Sequence, residues 1–388
     1  MRILIITTRH VGDITSGADL RLFEHLRPML NRHEFSLLHS VPRAPIPLEF
    51  RVDLAEFFGD RIVTFGETGR DWRKILRPPG PMAIAAHPLA WRRAVTAAVE
   101  HFAPDVLHAD MLQACLVTPP ALRKNALGFG QDSFRRFSAT RSSTESNWLK
   151  RFVFSVDTLG YAFYERCYKR FGASAFLSMD DIVASGSPDN AVLVENGVKL
   201  QSADSLPDAP TIFFGGNLQY LPNREGVSYF IKEVFPALSK IIPGLRVIIA
   251  GRSPAPDLLD LVSDQIDIVA SPADLGVLLR SARVAICPVK WGAGQKNKIL
   301  EAAAAGRPIV ADPHMIEGSA FEAQKHVLTA STPAEWTDAV ARLLMSSEEP
   351  EKLRAAAREI VADRYSWVTS SAIVEDCYMR LAARKDVR

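Results

Sequence analysis

The stretch WGAGQKNKILEAAAAGRPIV (residues 291–310) brings two glycines, two lysines and a glutamate close together. Its pattern predicts a short loop, then a helix that begins near Lys296 or Asn297, and then a strand. Gly292 and Gly294 let the backbone approach a ligand closely. The unpaired N–H groups at the start of a helix attract anions. The stretch therefore predicts an anion-binding site.

The charged side chains of this stretch suit a phosphate that carries a sugar. Lys296 and Lys298 supply full positive charges, and Glu301, about one turn into the helix, supplies a carboxylate. A carboxylate repels phosphate, but it accepts hydrogen bonds from sugar hydroxyls. The alternative is a capped helix with solvated lysines and a Glu–Lys pair on its surface.

Polar segments also follow several apolar runs that we interpret as strands. They are ITSGADLR, HADM, GQDSF and ENGV in the first half and GGNLQYLPN in the second. In open α/β sheets, ligands bind beyond the carboxyl ends of the strands, so these segments are expected near a site. The first strand is not followed by G-x-G-x-x-G, and the chain has no P-loop, G-x-S-x-G or H-E-x-x-H motif. A standard nicotinamide or flavin site therefore has little support.

The elements that position these residues follow from an alternation of short apolar runs and longer amphipathic segments. The runs are RILIIT, FSLLHS, RIVTF, DVLHA, ALGFG, SAFLS and AVLVENG, then TIFFGG, RVIIAG, IDIVA, VAICP and RPIVAD. The pattern restarts after a polar linker, KLQSADSLPDAP, which favours two sheets over one.

We therefore expect an α/β protein with two Rossmann-like domains facing each other across a cleft. The predicted first domain is 1–198, the linker is 199–210, and the second domain is 211–366. A C-terminal helix at 367–388, containing WVTSSAIVEDCYMRLAARK, is long enough to return to the first domain.

Composition excludes several functional classes. The 388 residues carry a formal net charge of +2, which gives no argument for a nucleic-acid partner. The four cysteines are widely spaced without a C-x-x-C pair, so neither a zinc site nor a disulfide framework is predicted, and a reducing cytoplasm fits. The N-terminal apolar run is too short for a signal peptide. No apolar run reaches the roughly 18 residues that a membrane span needs.

The motifs of the second half occur in a specific order over most of residues 211–367. They are TIFFGGNLQYLPNREGVSYFIKEVFPAL, GLRVIIAGRSP, PADLGVLLRSARVAICPVKWGAGQKNKILEAAAAGRPIVAD and YSW. Each is weak alone, but in this order they strongly resemble the retaining GT-B glycosyltransferases of the family 4 type, especially bacterial transferases of polysaccharide and cell-surface glycan clusters. The first half is similar more faintly, through SGADLR, DVLHAD, GQDSFRRF, SMDD and VLVENGV.

The resemblance implies roles for the residues of the helix. Glu301 matches the second glutamate of the family's E-x₇-E motif, which typically binds hydroxyls of the donor sugar or ribose. Lys296 and Lys298 fall where cationic residues approach the diphosphate. Ala293 stands where the first glutamate would be, so the family's sugar-specific contacts do not transfer directly to this chain.

The resemblance also implies roles for residues at strand ends. Gly215 and Gly216 match a glycine turn under the phosphates, and Gly17 matches the equivalent turn in the first domain. The family often has a histidine two residues after the position of His108, where this chain has Asp110. Either His108 or Asp110 could touch the reacting sugar, or neither.

The resulting candidates form three groups. The expected catalytic residues are Lys296, Lys298, Glu301 and Asp110. The expected donor-binding residues are Gly215, Gly216, Asn217, Asn223, Gly292, Gly294 and Glu317. The expected residues on the cleft and acceptor side are Gly17, Arg21, His108 and Asp132.

Several of the remaining candidates have structural alternatives as well. Asn217 and Asn223 could cap a turn and a helix, and Asp132 could cap the segment that follows it. Gly17 could form only a tight turn, and Arg21 could be a surface arginine on a helix. Only the position of these side chains in the fold can decide between the two interpretations.

The predicted protein is a cytoplasmic glycosyltransferase of the retaining, hexosyltransferase type. It would move a sugar from a nucleotide diphosphate sugar to a glycan or lipid-linked acceptor in bacterial surface polysaccharide or glycan biosynthesis. The lysines would stabilise the leaving diphosphate, and the absence of a D-x-D motif predicts no metal and no cofactor beyond the co-substrate. The alternatives are a GT-B nucleotide-sugar epimerase and a non-catalytic sugar-nucleotide-binding protein.

Two basic aromatic segments suggest a further partner. They are RDWRKILRPPG at 70–80 and WLKRFVFSVDTLGYAFYERCYKRF at 148–171. Such segments are often plain amphipathic helices. A peripheral position at the inner face of an anionic membrane would instead suit a lipid-linked acceptor.

Overall fold

The computed structural model describes residues 1–11, 17–41, 53–66, 88–130, 133–145, 147–202, 204–292 and 297–384. These residues form two compact units. The first unit contains the described part of residues 1–197 together with the C-terminal helix. The second contains the described part of residues 198–366.

In its described part, the first unit contains one parallel sheet of seven strands. The strands are β1 (Arg2–Ile6), β2 (Glu34–Ser40), β3 (Ile62–Phe65), β4 (Val106–Asp110), β5 (Ala126–Phe129), β6 (Ala173–Phe176) and β7 (Ala191–Leu193). Their order is β3-β2-β1-β4-β5-β6-β7. Since β1 pairs with both β2 and β4, the chain winds in opposite directions from β1.

Helices cover this sheet by burying apolar side chains that recur at helical spacing. In the helix Pro88–Phe102, four such side chains are all buried: Trp91, Val95, Ala98 and Phe102. The helices of this unit are α1 (Gly17–Leu26), α2 (Leu54–Phe58), α3 (Pro88–Phe102), α4 (Met111–Val117), α5 (Phe134–Thr144), α6 (Trp148–Tyr164) and α7 (Met179–Ala184). Short 3₁₀ segments lie at Arg27–Met29, Pro120–Asn125 and Glu165–Arg170.

The second unit repeats the architecture with a smaller parallel sheet. Its strands in the described residues are β8 (Thr211–Gly215), β9 (Arg246–Gly251), β10 (Ile266–Ala270), β11 (Val284–Cys287), β12 (Ile309–Ala311) and β13 (Leu328–Thr329). Their order is β10-β9-β8-β11-β12-β13. Each apolar run of the sequence forms a strand. β13 was not predicted, because two residues carry no periodic signal.

The helices of the second unit follow its strands. They are α8 (Leu221–Tyr229), α9 (Phe235–Ile241), α10 (Pro256–Leu259), α11 (Leu275–Arg280), α12 (Asn297–Ala304), α13 (Pro333–Met345) and α14 (Glu348–Arg364). A π-helical turn at Phe230–Val234 joins α8 to α9, and a 3₁₀ turn lies at Pro313–Met315. The predicted loop, helix and strand of residues 291–310 are confirmed as far as they are described, with the helix beginning at Asn297.

The last helix, α15 (Trp367–Ala383), packs in the first unit, as expected of a helix that returns to it. Its buried Ser371 donates a hydrogen bond of 2.8 Å to the carbonyl of His25 in α1. Ser370 lies 2.7 Å from the ring of His25 and donates to the carbonyl of Glu195 at 2.6 Å. None of the described helices is both long and apolar enough to span a bilayer.

Candidate active site

The switch point of the second sheet lies between β8 and β11. β8 pairs with β9 on one side and with β11 on the other, so the connections leave β8 in opposite directions. A crevice opens beyond the carboxyl ends of two such strands and commonly holds the ligand in open α/β folds. Gly215 ends β8 and Cys287 ends β11, so the segments after these two residues form the candidate site.

The backbone turn after β8 depends on glycine. Gly216 has a φ of +155°, and a β-carbon on Gly251, at the end of β9, would stand 1.6 Å from the carbonyl oxygen of Gly216. On Gly215, a β-carbon would stand 2.8 Å from the ring of Phe213. The turn can therefore follow this path only while residue 251 is glycine, and a side chain at residue 215 or 216 would displace the side chains next to it.

Lys298 lies over this turn. A β-carbon on Gly216 would stand 2.8 Å from Cε of Lys298 and 3.3 Å from its Nζ. The predicted glycine turn and one of the predicted lysines therefore meet in space, although they come from different strand–helix connections.

Lys298 and Glu301 project from one side of α12, since they are three residues apart. Both are partly buried, and neither side chain forms a hydrogen bond or a close ion pair with any described residue. Burial lowers the pKa of Lys298 below its ordinary value, with the Glu301 carboxylate opposing the shift. Burial likewise raises the pKa of Glu301, and Lys298 opposes it. Two desolvated charges without hydrogen-bond partners are the arrangement that a bound anion and bound hydroxyls would complete.

The rest of α12 is fixed by packing. Ile299, Leu300 and Ala303 are buried on its inner side. At its C-terminus, Arg358 from α14 donates a hydrogen bond of 2.6 Å to the carbonyl of Ala304. The two charged side chains are thus carried by a rigid support, which is what a precisely positioned site needs.

The loop after β11 is tied to α8. The indole N–H of Trp291 donates to Glu225 at 2.8 Å, and the ammonium of Lys290 lies 3.7 Å from the centre of the Tyr229 ring. A β-carbon on Gly226 would stand 2.4 Å from the carbonyl oxygen of Pro288, so α8 reaches this loop only because residue 226 is glycine.

His314 joins two of the predicted donor residues. Its Nε2 lies 3.2 Å from the carbonyl oxygen of Gly292, and its Nδ1 lies 2.9 Å from the carboxylate of Glu317. Because both partners only accept hydrogen bonds, the two contacts are satisfied together when both ring nitrogens carry a proton. Gly292 itself has a φ of +144°. His314 was missed from the sequence, although it follows β12 and so obeys the strand-end rule.

Asn217 and Asn223 could each be a cap or a donor-binding residue, and the structure separates them. Asn217 caps the turn, since its Oδ1 accepts from the backbone N–H of Gln219 at 3.0 Å. Asn223 is 2% exposed and donates from Nδ2 to the carbonyl of Asn217 at 2.8 Å. Its Oδ1 is buried and accepts no hydrogen bond from the described residues. Asn217 therefore acts as a cap in this structure, whereas Asn223 retains an unused acceptor beside the glycine turn.

In the first unit, Arg21 and Asp110 form a buried ion pair. Asp110 ends β4 and Arg21 lies on α1. Asp110 also lies 3.2 Å from Arg9, which follows β1 and pairs in addition with Asp19. Burial opposes ionisation of Asp110, but the Arg21 and Arg9 guanidinium groups outweigh it and lower its pKa. The side chains of Arg21 and Asp110 are 1% and 0% exposed, whereas that of Arg9 is 26% exposed.

This cluster lies at the switch point of the first sheet, between β1 and β4. Met111, directly after Asp110, has a φ of +72°, a strained value for a residue other than glycine. Arg21 is not a surface arginine of α1 but a buried partner of Asp110. Arg9 was not predicted from the sequence, and it is the member of the cluster with substantial exposed surface.

His108 is buried next to this cluster. Its Nδ1 lies 2.5 Å from the hydroxyl of Tyr378 in α15, and its ring stacks on Phe129 with 5.6 Å between centroids. Burial lowers the pKa of His108 to about 4, so the ring is neutral, and its Nδ1 and the tyrosine hydroxyl share one hydrogen bond. This arrangement gives His108 a structural role in holding α15. Its predicted contact with the substrate stays a prediction, as does that of Asp110.

Several candidates lie outside the described residues. They are Lys296, Gly294, Asp132 and the basic aromatic segment at 70–80. Gly17 begins α1. The structure thus brings together Gly215, Gly216, Asn223 and Lys298 in the second unit, and Arg21 with Asp110 in the first.

The donor-side residues lie within a recognised sequence family model. The model is described as "Glycosyl transferases group 1" and matches residues 209–346. This range contains the glycine turn, α12 and His314. The sequence matches no curated protein.

Solved structures match both units. Anabaena Alr3699/HepE, in complex with UDP and glucose, has a TM-score of 0.64 at 14% identity over 97% of this chain and 98% of that chain. The sucrose-phosphate synthase of Thermosynechococcus elongatus has a TM-score of 0.67 at 14% identity over 99% and 100%. WaaG, a glycosyltransferase involved in lipopolysaccharide biosynthesis, has a TM-score of 0.63 at 12% identity over 97% and 99%.

The fold is GT-B. The two Rossmann-like units predicted from the sequence are confirmed by these matches. At such low identity the similarity establishes the fold alone, and the GT-B fold by itself does not fix a reaction. The chemistry has to be argued from the side chains at the switch points.

Proposed function

We propose that this protein is a glycosyltransferase that moves a sugar from a nucleotide diphosphate sugar to a glycan or lipid-linked acceptor. We further propose that it retains the anomeric configuration, needs no metal and belongs to the family 4 type of the GT-B enzymes. The observation that carries the proposal is Lys298, whose partly buried ammonium has no hydrogen-bond partner among the described residues and lies over the Gly216 turn.

The chemistry needs positive charge beside the leaving group. As the bond between the anomeric carbon and the phosphate oxygen breaks, negative charge grows on the diphosphate and positive charge on the sugar. A desolvated ammonium stabilises that anion more strongly than a solvated one would. The acceptor oxygen bonds to the same face of the sugar and gives its proton to the leaving phosphate, so no strong protein base is required.

Glu301 has a different role in this proposal. Its partly buried carboxylate has unused acceptor capacity and would bind hydroxyls of the donor sugar or ribose. Asn223 Oδ1 and the His314–Glu317 pair would complete the donor side around the nucleotide. These contacts orient the sugar, which lowers the entropic part of the barrier.

On the first unit, we propose that Arg9 meets the acceptor and that Asp110 positions it. Asp110 is fully buried and holds one side of the Arg9 guanidinium, while Asp19 holds the other. A cation fixed between two carboxylates has a defined direction at little cost in side-chain entropy. This assigns to Asp110 a positioning role in place of direct contact with the reacting sugar.

The biological setting that we propose is the assembly of a bacterial surface polysaccharide or glycan in the cytoplasm, at the inner face of the membrane. Support comes from the resemblance of the motifs to transferases of such glycans and from the fold shared with WaaG, whose name records lipopolysaccharide biosynthesis. HepE is described with UDP and glucose, which makes UDP the first nucleotide to test.

The proposal is tested first by ligand-induced stabilisation. UDP, GDP or dTDP should raise the melting temperature, since a ligand at a hundred times its dissociation constant adds about 2.7 kcal/mol. Turnover of the matching nucleotide sugar with an acceptor should be unchanged by a chelator. A strict requirement for magnesium or manganese in the chemical step would contradict the mechanism.

Donor-only controls separate this function from its alternatives. An epimerase would convert or hydrolyse the donor without any acceptor. A non-catalytic binding protein would be stabilised by nucleotide yet show no turnover with any acceptor. Acceptor-dependent release of nucleoside diphosphate, with the sugar recovered on the acceptor, is the expected result.

A further inference from the structure

The helix α6 of the first unit exposes an unusually apolar face. Of its seventeen residues only Tyr161 is buried. Trp148, Leu159 and Phe163 are 74%, 74% and 67% exposed, and Phe152 is 62% exposed. Large apolar side chains that cluster on a surface mark an interaction site, whereas scattered ones need no explanation.

These four side chains form one stripe. Their spacings of four, seven and four residues keep them on the same side of a helix, and the stripe runs for roughly 22 Å. Leu149 and Val153 widen it near its start and are 55% and 49% exposed. This is the pattern of an amphipathic helix, but with its apolar face turned to solvent.

The opposite side of α6 already has a partner. The ring of Tyr161 stacks on Phe134 of α5 with 5.2 Å between centroids, and the guanidinium of Arg141 lies 4.8 Å from the centre of the Phe154 ring. The contacts with α5 therefore hold α6 against the unit, and they leave the apolar stripe on the side that faces solvent.

Basic residues stand at both ends of the stripe. Arg151 lies in the first turn of α6, and Arg166, Lys169 and Arg170 follow its end, whereas Lys150, four residues before Phe154, starts on the side that faces α5. All five side chains are exposed, and none forms an ion pair within the part of the chain that the structure describes. The single acid of α6, Asp157, lies one turn before the buried Tyr161 and thus on the inner side, and burial raises its pKa.

We propose that this face of α6 docks on an anionic lipid bilayer, with the apolar stripe inserted between the headgroups and the basic residues against their phosphates. Aromatic and aliphatic side chains flanked by Lys and Arg are the composition of helices that lie in a membrane interface. The proposal rests on the proposed position at the inner face of the membrane and names the surface that makes the contact, while vesicle binding tests it separately from the transfer reaction.

Charge argues for a bilayer over a second copy of this chain. Because both ends of the stripe are basic, pairing two α6 helices in either direction brings like charges together, which disfavours association. An anionic bilayer instead offers negative charge along the whole length of the helix.

The test is co-sedimentation of the full chain with vesicles of phosphatidylcholine alone or mixed with phosphatidylglycerol. The parent protein should bind the mixed vesicles preferentially, and salt should weaken the binding. The triple change Phe152→Ser, Leu159→Ser and Phe163→Ser should lower the partition coefficient by about tenfold or more. Lys150→Gln with Arg151→Gln should weaken binding to mixed vesicles but leave the residual binding to phosphatidylcholine unchanged.

The matched control is Leu259→Ser, Val262→Ser and Val277→Ser on the second unit, whose parent side chains are 47%, 54% and 52% exposed. It should bind vesicles like the parent. Melting temperature and nucleoside diphosphate binding check that each variant is folded. The proposal would be overturned if the parent failed to bind anionic vesicles, or if the triple serine variant of the stripe bound them as well as the parent does. Self-association of the parent, by sedimentation velocity, that the stripe variant abolishes without a change in vesicle binding would overturn it as well.

Discussion

Lys298 and Gly216 are packed so closely that a β-carbon on the glycine would stand 2.8 Å from Cε of the lysine. The lysine belongs to the helix after β11 and the glycine to the turn after β8, the two strands that flank the switch point. A cation with no hydrogen-bond partner among the described residues therefore lies above partly exposed backbone at the place where open α/β sheets bind ligands.

Removing the positive charge of Lys298 should raise the free energy of the transition state more than that of the bound substrate. Lys298→Ala is expected to lower the turnover rate by about 10²-fold or more, as for other lost electrostatic donors, and to weaken nucleoside diphosphate binding. We expect the same of Lys296→Ala. Glu301→Ala should reduce turnover but leave diphosphate binding less affected if the carboxylate binds the donor sugar. If it binds ribose, nucleotide affinity falls as well.

Initial rates, nucleotide affinity and melting temperature measured for each variant decide these outcomes. The exposed Lys240 of α9 offers a matched control, and Lys240→Ala should behave like the parent. Near-parental activity in all three site variants would mean that the stretch only starts a helix.

A methyl group at residue 216 should displace Lys298 without removing it. Gly216→Ala is therefore expected to lower turnover, by about tenfold on the scale of a misplaced catalytic group, while the protein stays folded. Adding Lys298→Ala should then cost less than it does in the parent, because both changes remove one interaction. Gly244→Ala is the control, since Gly244 has a φ of +71° with nothing within 4 Å of a β-carbon. Simple additivity of the two site changes would contradict the coupling.

The partly exposed guanidinium of Arg9 predicts that its removal affects the binding of the acceptor and not that of the donor. Arg9→Ala should raise KM for the acceptor and leave nucleoside diphosphate affinity unchanged, because the donor-side residues belong to the other unit. Asp110→Asn should act in the same direction and more weakly, since Asp19 still holds Arg9. A loss of nucleotide affinity in either variant, with a normal melting temperature, would refute these assignments.

The hydrogen bond between Tyr378 and His108 predicts how firmly α15 is held. Tyr378→Phe leaves Nδ1 of His108 buried without its hydrogen-bond partner and should lower the free energy of unfolding by roughly 1–3 kcal/mol. Denaturant unfolding measures the loss. In the control, Tyr164→Phe, the parent hydroxyl makes no hydrogen bond to a described residue, so the change should be small. Equal stability of both variants would show that the bond contributes nothing net.

Glu165 predicts a pH-dependent stability. Burial raises its pKa to about 7, against hydrogen bonds from the backbone N–H of Arg135 and the hydroxyl of Ser133. Because the pKa is raised, the folded state binds the Glu165 proton more tightly than the unfolded state does. The stability that this proton contributes is fully present below the ordinary pKa of a glutamate and is lost as the pH rises through about 7. Glu165→Gln should therefore be more stable than the parent at about pH 8, by up to about 3 kcal/mol, and lose that advantage near pH 4.5.

Melting temperatures across this pH range test the crossover. The same change at the exposed Glu100 of α3 serves as the control. A constant difference between Glu165→Gln and the parent at every pH would contradict the raised pKa.

The sequence by itself determined every described strand except β13, and the nature of the donor-side chemistry. Every named apolar run became a strand, and α12 begins at Asn297 as the stretch predicted, because periodicity, glycine positions and helix starts are local properties. Lys298 and Glu301 were recognised for the same reason, since a spacing of three residues along one helix places both side chains on the same side.

Only the tertiary structure decided which distant residues meet and which charges are buried. Sheet order brings Lys298 over Gly216 and His314 between Gly292 and Glu317, and no local pattern encodes contacts between separate strand–helix connections. Asp110 and Arg9 are similar strand-end residues in sequence, yet packing by α1 buries the carboxylate and leaves the guanidinium partly exposed. In α6, the apolar stripe can be recognised from the spacing of the apolar residues in the sequence. Its exposure follows only from α5 covering the other side, because a helix turns its apolar face inward unless the rest of the fold leaves that face uncovered.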